Sequence, residues 1–506
     1  MAYVLESLSW WHLASAVIAY YCTLAFYRLF FHPLSRFPGP KLAAVSRWYE
    51  AYYDVYQQGQ YTFKIAALHK EYGPIVRISP YELHVSDPDF FETLYRHDGR
   101  WDKYAWATDA FAAPGATIFT SSHEVHKVRR QPLNPFLSKA KVAAYEGGIL
   151  KHLEKLCGRL SAAATPKEDR KAGGPHLNLG AAITAFVRDV ANDFVLGKSY
   201  NSLERDDFDE AMVATSIGSG QVWRLTKHVR FVAPLLMSIP PSWIMKVGDH
   251  GIKVFYRHIE ETRQDTHNLM AQATRTTGRR TIVDEIMDSK LPPSEKTEAR
   301  VYDDASTVTG AGFETTASVL RLVIFNVFSN SDILQRLRGE LASCSGTLDL
   351  KTLERLPHLT AVLMEGLRLS PAIGTRMARI SPDKDISYKQ WRIPAGTPVA
   401  MTLVLMHSDE TLYPDPHRFD PERWMDPERR RRLEKAFAPF SRGTRVCLGM
   451  HLAWAEMYLL VATLVDRFDF EFFDIRAEDF ICDSDNFAIG TPSKGVLYTD
   501  VHLRRS

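Results

Sequence analysis

The chain has 506 residues, with 62 Lys and Arg against 60 Asp and Glu, a formal net charge of +2. Hydrophobic residues make up 45% and charged residues 24%, an ordinary globular balance that excludes disorder, collagen and low-complexity fibres. No basic excess points to nucleic acid, and the five widely spaced cysteines (Cys22, Cys157, Cys344, Cys447 and Cys482) fit a reducing compartment rather than a disulfide framework.

Residues 10–27 carry no formally charged side chain. With the apolar residues that flank them, they are long enough to cross a bilayer as a helix. Trp10, Trp11, Tyr20, Tyr21 and Tyr27 suit the two membrane interfaces. Arg28, Arg36 and Lys41 follow the stretch and only Glu6 precedes it, an asymmetry that places the C-terminal side in the cytosol. A cleaved signal peptide would want a basic start, a shorter apolar run and small residues at the cut, where this chain has Phe30 and Phe31. Residues 1–31 are therefore expected to form a single membrane anchor. Pro33, Pro38, Gly39 and Pro40 mark 32–41 as a Pro-rich, non-helical hinge, and 42–506 as the body of the protein. The absence of any Asn-x-Ser/Thr acceptor fits a body outside the secretory lumen.

In the body, 75–78 and 82–85 read as a hairpin around Ser79-Pro80-Tyr81. The polar stretches 161–176 and 271–280 read as exposed loops. Residues 301–328 read as one long helix. Further helices are expected from about Asp332, over 359–369 before Pro371, and over 451–468. The expected fold is mainly α with small β-sheets in one large folding unit.

Ahead of that last helix stands Phe440-Ser-Arg-Gly-Thr-Arg-Val-Cys-Leu-Gly449, the pattern FxxGxRxCxG. By composition such a pattern arises by chance ~10⁻⁴ times in a chain of this length. A lone cysteine is usually a small buried hydrophobe. At a helix N-terminus, among free N–H groups and beside a metal, it becomes a thiolate. Glycines let the backbone approach a flat ligand, and Arg445 could pair with a carboxylate of that ligand.

With this motif the sequence resembles the cytochrome P450 superfamily over essentially its whole length. Glu365-Gly-Leu-Arg368 is similar to the family's ExxR, and Pro421-Glu-Arg-Trp424 to its PERF/PERW, so Arg423 would complete a Glu–Arg–Arg triad. Ala311-Gly-Phe-Glu-Thr-Thr316 is similar to the oxygen-activating segment AGx[DE]T. His126-Lys-Val-Arg-Arg130 is similar to the WxxxR helix, with His126 where many members have Trp. Arg379 falls where the family often has a further propionate-binding Arg.

The resemblance implies a cytochrome P450 fold holding haem b (heme b), with Cys447 as the iron ligand. It places His126, Arg130, Arg379 and Arg445 on the propionates, Ala311, Phe440 and Gly449 around the ring, and Thr315 with Glu314 in proton delivery. The acid and alcohol side by side suit general acid work. The implied reaction is insertion of one oxygen atom from O2 into a lipophilic small molecule. Its electrons would come from NADPH through a cytochrome P450 reductase, with cytochrome b5 as an optional second donor. The implied location is the endoplasmic reticulum membrane, single-pass, with the body cytosolic. Segments 104–120, 307–311, 372–377 and 487–491 match the family's substrate-contact regions and are mostly apolar. The chain looks most like fungal monooxygenases of secondary metabolism, trichodiene oxygenase-like members included, so a terpenoid is the expected substrate and a polyketide the alternative. Two other classes stay open: a same-fold isomerase or dehydratase, and a non-catalytic membrane haem-binding sensor. The run 429–432 of four arginines reads either as a solvated helix face or as a docking patch for an acidic redox partner.

Overall fold

The computed structural model describes residues 10–164, 176–272, 279–344 and 348–504. Residues 1–9 of the expected anchor, and most of the 161–176 and 271–280 loops, lie outside the described residues.

Helix Glu298–Ser329 is the element around which the others assemble. Its 32 residues span about 48 Å at 1.5 Å per residue. Val301, Ala305, Leu320, Ile324 and Val327 are fully buried, a stripe at helical spacing. Helices Leu179–Leu196, His250–Ala271, Pro357–Leu369 and Met450–Arg467 all pack against it. Among the described residues two helices are long and apolar enough to cross a membrane, this one and Trp10–Phe30. Their surroundings separate them: 61% of the apolar window of the first is buried in the protein, whereas no residue of the second is.

Local chemistry fixes the partners of the central helix. Asn178 accepts from the backbone N–H of Ala181 at 3.2 Å and caps helix Leu179–Leu196. The same oxygen accepts from Leu497 N–H at 3.2 Å, which ties the helix to the strand Tyr498–Leu503. Pro357 opens helix Pro357–Leu369, where its missing N–H is no loss. A Cβ at Gly366 would meet Val323 Cγ2 at 2.2 Å, so glycine at this position lets the helix lie directly on the central one.

The hairpin is present, with Ile75–Arg77 antiparallel to Leu83–Val85 and Ile75 opposite Val85. It forms the edge of a five-stranded sheet continued by Pro398–Ala400, Arg379–Ile380 and Asp102–Lys103. Register sets Lys103 directly opposite Arg379. Like charges so placed repel, and the sheet brings both to the cavity described below.

Helix Trp10–Phe30 is fastened where it meets the body. Arg28 donates to Val45 O and to the Tyr81 hydroxyl, each at 2.5 Å. Buried Arg77 donates to Arg28 O at 2.9 Å and so satisfies a carbonyl at the helix C-terminus. Within 32–41, Leu34 and Phe37 are buried, and Phe37 stacks on Trp391 with centroids 4.9 Å apart. Arg36 donates to Arg392 O at 2.9 Å. The Pro-rich segment is thus docked along the body over its length.

Candidate active site

Cys447 sits in the loop between helix Pro427–Glu434 and helix Met450–Arg467. Its N–H donates to Phe440 O at 2.8 Å, which closes the loop on itself. The sequence reading gave the loop glycines to a flat ligand. The structure shows another use for Gly443: at φ 76° it lies on the protein's own backbone, where a Cβ would come within 2.2 Å of Arg96 O. Gly449 has open space beside it and does border the cavity.

That cavity, of about 280 Å³, is lined by Cys447, Phe440, Gly449, Ala311, Thr315, His126, Arg130, Arg379 and Arg445. Nine of the ten expected site residues are therefore brought together. The surface that Cys447 leaves free is cavity wall, and the side chain is otherwise enclosed. Burial pushes its thiol up, while the N–H groups of Gly449 and Met450 and the charges of Arg130 and Lys103 pull it down.

The tenth residue, Glu314, does not line the cavity. Its carboxylate is ion-paired with Arg321 on the same helix, and Arg321 also donates to Thr184 Oγ1 at 2.8 Å. Successive helical residues are turned by about 100°, so an acid beside Thr315 in sequence need not share its face. Thr315 borders the cavity and donates its hydroxyl back to Ala311 O at 2.7 Å. Gly312 lines the same wall and lets Ala191 approach, whose Cβ would lie 3.3 Å from an added one.

The walls carry an unusual electrostatic pattern. Arg445 donates to Thr120 O at 2.5 Å and Ser121 O at 2.7 Å, but its Nε has no partner. Arg130 donates to Val446 O at 2.8 Å and Arg379 to Met377 O at 2.9 Å. Lys103, which sequence reasoning missed, donates to Ile118 O at 2.6 Å and lines the same cavity. Among the described residues none of these four cations forms an ion pair. Desolvation lowers all four, with Arg445 brought to about 9 and Lys103 held well below the usual lysine range by burial and by Arg379, Arg445 and Arg130. His126 is pushed down to about 2 by burial and the same arginines, so it stays neutral. A thiol and four desolvated cations without an ion-paired acid are the donor set that an iron centre carrying two carboxylates would satisfy.

Glu365 anchors the support beneath the loop. It accepts from Arg368 at 2.9 and 2.8 Å, Arg423 at 3.2 Å and Trp424 Nε1 at 2.9 Å, all fully buried. Arg368 continues to His407 O at 2.8 Å. His407 Nε2 accepts from Ala438 N–H at 3.1 Å, and its Nδ1 lies 3.2 Å from Arg368 O. Burial and Arg368 lower His407 to about 3, so it is neutral, with its proton on Nδ1 toward that carbonyl. His407 thus links the triad to the start of the Cys447 loop.

Sequence reasoning also missed Glu456. It is fully buried at the cavity wall with Oε1 unpartnered, and burial alone raises it far above the usual carboxylate range. Over the substrate-contact segments, Phe111 stacks on Phe119 at 4.7 Å and meets Phe487 edge-on at 4.7 Å, with Trp223 5.5 Å from Phe487. Phe487 holds φ 71°, strained for an aromatic residue, and its N–H is fixed by Asp485 at 3.0 Å.

Comparison with known proteins agrees with this architecture. The family model "Cytochrome P450" matches residues 48–499. The chain is 38% identical to cytochrome P450 monooxygenase tpcC of Cochliobolus heterostrophus, over 95% of this chain and 94% of that one. It is 37% identical to tryptophan 6-hydroxylase fscE of Fusarium equiseti over 89% of each chain. It is 32% identical to cytochrome P450 monooxygenase TRI4 of Fusarium sporotrichioides, over 92% and 89%. The fold matches a retinoic acid-bound cyanobacterial CYP120A1, with TM-score 0.67 and 20% identity over 89% of this chain and 96% of that one. Enzymes of this fold hold haem through an axial cysteine. From its fold, its cavity and its relatives, the chain belongs to the cytochrome P450 family of haem-thiolate monooxygenases.

Proposed function

We propose that this chain is a membrane-anchored monooxygenase that hydroxylates or epoxidises a neutral terpenoid with electrons from NADPH. The observation that carries the reading is the unpaired cation set around Cys447. Cys447 would hold the iron, and Lys103, Arg130, Arg379 and Arg445 would hold the two propionates, with neutral His126 beside them. When bound, the haem supplies the O–O cleavage chemistry that an axial thiolate favours. The protein's own share is to bind and orient the substrate, exclude water and place protons. Thr315 keeps a hydroxyl at the cavity wall for that purpose.

The substrate reading follows from the rest of the lining, with Ile118, Val308, Ile373 and Met377 beside the hydroxyls of Thr117 and Thr375. Among the described residues every cation lining the cavity belongs to the propionate set. A substrate carboxylate would have no partner of its own, which favours a neutral lipophile over an amino acid such as tryptophan. A neutral polyketide is the second reading. The helix Trp10–Phe30, which has no buried residue, supports a single span in the endoplasmic reticulum membrane. Phe231, Leu235, Trp243 and Val247 form a further exposed apolar surface suited to the interface. Pro427–Glu434 presents Arg429 to Arg432, which suits an acidic reductase.

The test is expression in microsomes with a reductase and product profiling over terpenoid, polyketide and indole panels. NADPH consumption that depends on substrate is expected. Its absence in a correctly loaded enzyme would favour an isomerase, a dehydratase or a sensor. In Thr315→Ala, NADPH consumption should persist while product per NADPH falls and peroxide rises. Stability should change little, because Ala is the better helix former. Unchanged coupling would remove Thr315 from proton delivery.

A further inference from the structure

We infer that Ser318 and Ser370 form a hydroxyl relay that carries protons from Glu314 to the cavity. The inference rests on the monooxygenase reading above and names the path that its proton takes.

The central helix presents Val308, Ala311, Gly312, Thr315, Thr316 and Val319 to the cavity. At 100° per residue, Glu314 stands roughly 130° from the centre of that face, and Ser318 about 40° closer to it. Glu314 is also held in place. Its partner Arg321 is boxed against Gly180, where an added Cβ would lie 3.2 Å from Arg321 Cδ. The Glu314 side chain is 22% exposed, enough to exchange protons with water.

Two hydroxyls bridge the remaining gap. Ser370 follows the last residue of helix Pro357–Leu369, is 1% exposed and borders the cavity. Its Oγ donates to Ser318 Oγ at 3.2 Å, and Ser318 Oγ donates to Thr315 O at 3.0 Å. Ser318 is one turn from Glu314 at i,i+4, the spacing at which helical side chains meet. A hydroxyl both donates and accepts, and it rotates freely. A proton taken from water at Glu314 passes to Ser318 Oγ, directly or through one water. Ser318 gives up its own proton to Ser370, and Ser370 gives its own to the acceptor in the cavity. Both hydroxyls end as they began, Glu314 returns to carboxylate and no electron moves.

The experiment uses the full-length, haem-loaded enzyme with Ser370→Ala, Ser318→Ala, Ser370→Thr and Glu314→Gln. Binding of cyanide and of imidazole is followed at the Soret band in the absence of reductase. Hydrogen cyanide must surrender its proton on binding and imidazole need not. Ser370→Ala and Ser318→Ala should each slow cyanide on the order of tenfold and leave imidazole unchanged, and Ser370→Thr should restore the rate. The effect lies below the 10²-fold typical of a sole proton-transfer group because water replaces a lost hydroxyl. In turnover the alanine variants should release more peroxide per NADPH. Glu314→Gln combined with Ser370→Ala should slow cyanide no more than either alone, as groups on one path do. Equal slowing of both ligands, no slowing of either, or additive effects would overturn the relay. Loss of the thiolate-type carbon monoxide spectrum in the unmutated enzyme would instead overturn the monooxygenase reading, so the two failures are distinct.

Discussion

Two charge clusters in this fold are built on opposite principles. Around the cavity, Lys103, Arg130, Arg379 and Arg445 stand together without a carboxylate partner, and burial depresses every one of them. Below the anchor, Glu50, Asp54 and Glu82 interlock with Lys227 and Arg376. Arg376 bonds Glu50 and Glu82 at 2.9 Å each, and Lys227 reaches Asp54 at 2.6 Å and Glu50 at 3.1 Å. There the shifts run the other way. Glu50 is held well below the usual carboxylate range by Arg376 and Lys227 despite its burial, and both cations are raised by their acids. The second cluster ties the segment beneath the anchor to helix Glu210–His228 and needs nothing from outside. The first is incomplete without an anionic guest. Burial alone does not mark a functional site; burial without a counter-charge does.

The sharpest break of this contrast is at the thiol. Cys447→Ser should abolish the thiolate-type band of the reduced carbon monoxide complex, whereas replacing Cys22 or Cys482 should leave it intact. Retention of the band would remove Cys447 as ligand. Next come matched arginine deletions. Arg376→Leu strands buried Glu82, removes one cation from Glu50, which keeps Lys227, and should cost about 3–5 kcal/mol of stability. Arg445→Leu removes a charge that has no carboxylate partner, so the haem-free chain should lose far less stability than with Arg376→Leu, while haem retention falls. Thermal unfolding of haem-free protein and haem content of purified protein check the pair. Equal destabilisation by both would erase the distinction between the clusters.

A smaller effect is expected at Asp485, the acid that the balanced cluster cannot fully neutralise. Burial, with the help of Asp54, raises it to about 6 against the pull of Lys227. The folded state therefore binds this proton more tightly than the unfolded chain does. Its favourable contribution is present below the ordinary aspartate range and is lost as pH rises to about 6. Asp485→Asn should flatten the pH dependence of unfolding between pH 4 and 6 by at most about 1.4 kcal/mol per pH unit. An unchanged slope would show that the proton is held elsewhere.

Much of the site was legible because its parts are local. The Cys447 loop, the Glu365–Arg368 pair and the hairpin at 75–85 each lie within a few residues, where spacing and turn chemistry speak directly. Lys103 was not legible: its place depends on pairing with Arg379 across a sheet, more than 270 positions away in the chain. His407 and Ser370 are ordinary residues until the fold sets them against Ala438 and Ser318. The position of Glu314, off the cavity wall, was not legible for the opposite reason. It is adjacent to Thr315 in sequence, and adjacency on a helix is a turn of about 100° rather than a shared face.

On the proposed membrane-anchored reading, the fastening of helix Trp10–Phe30 has a consequence for encounters with an electron donor. A body joined to its span by a loose tether would tumble over a wide solid angle. Here Arg28, Arg77, Phe37 and Arg36 clamp the span to the sheet, so the two tilt as one rigid piece. An electron donor confined to the same bilayer then searches in two dimensions for a face held at nearly constant height and bearing. Swapping the segment 32–41 for a flexible linker of equal length should keep the protein on the membrane while widening that angular distribution and slowing electron transfer.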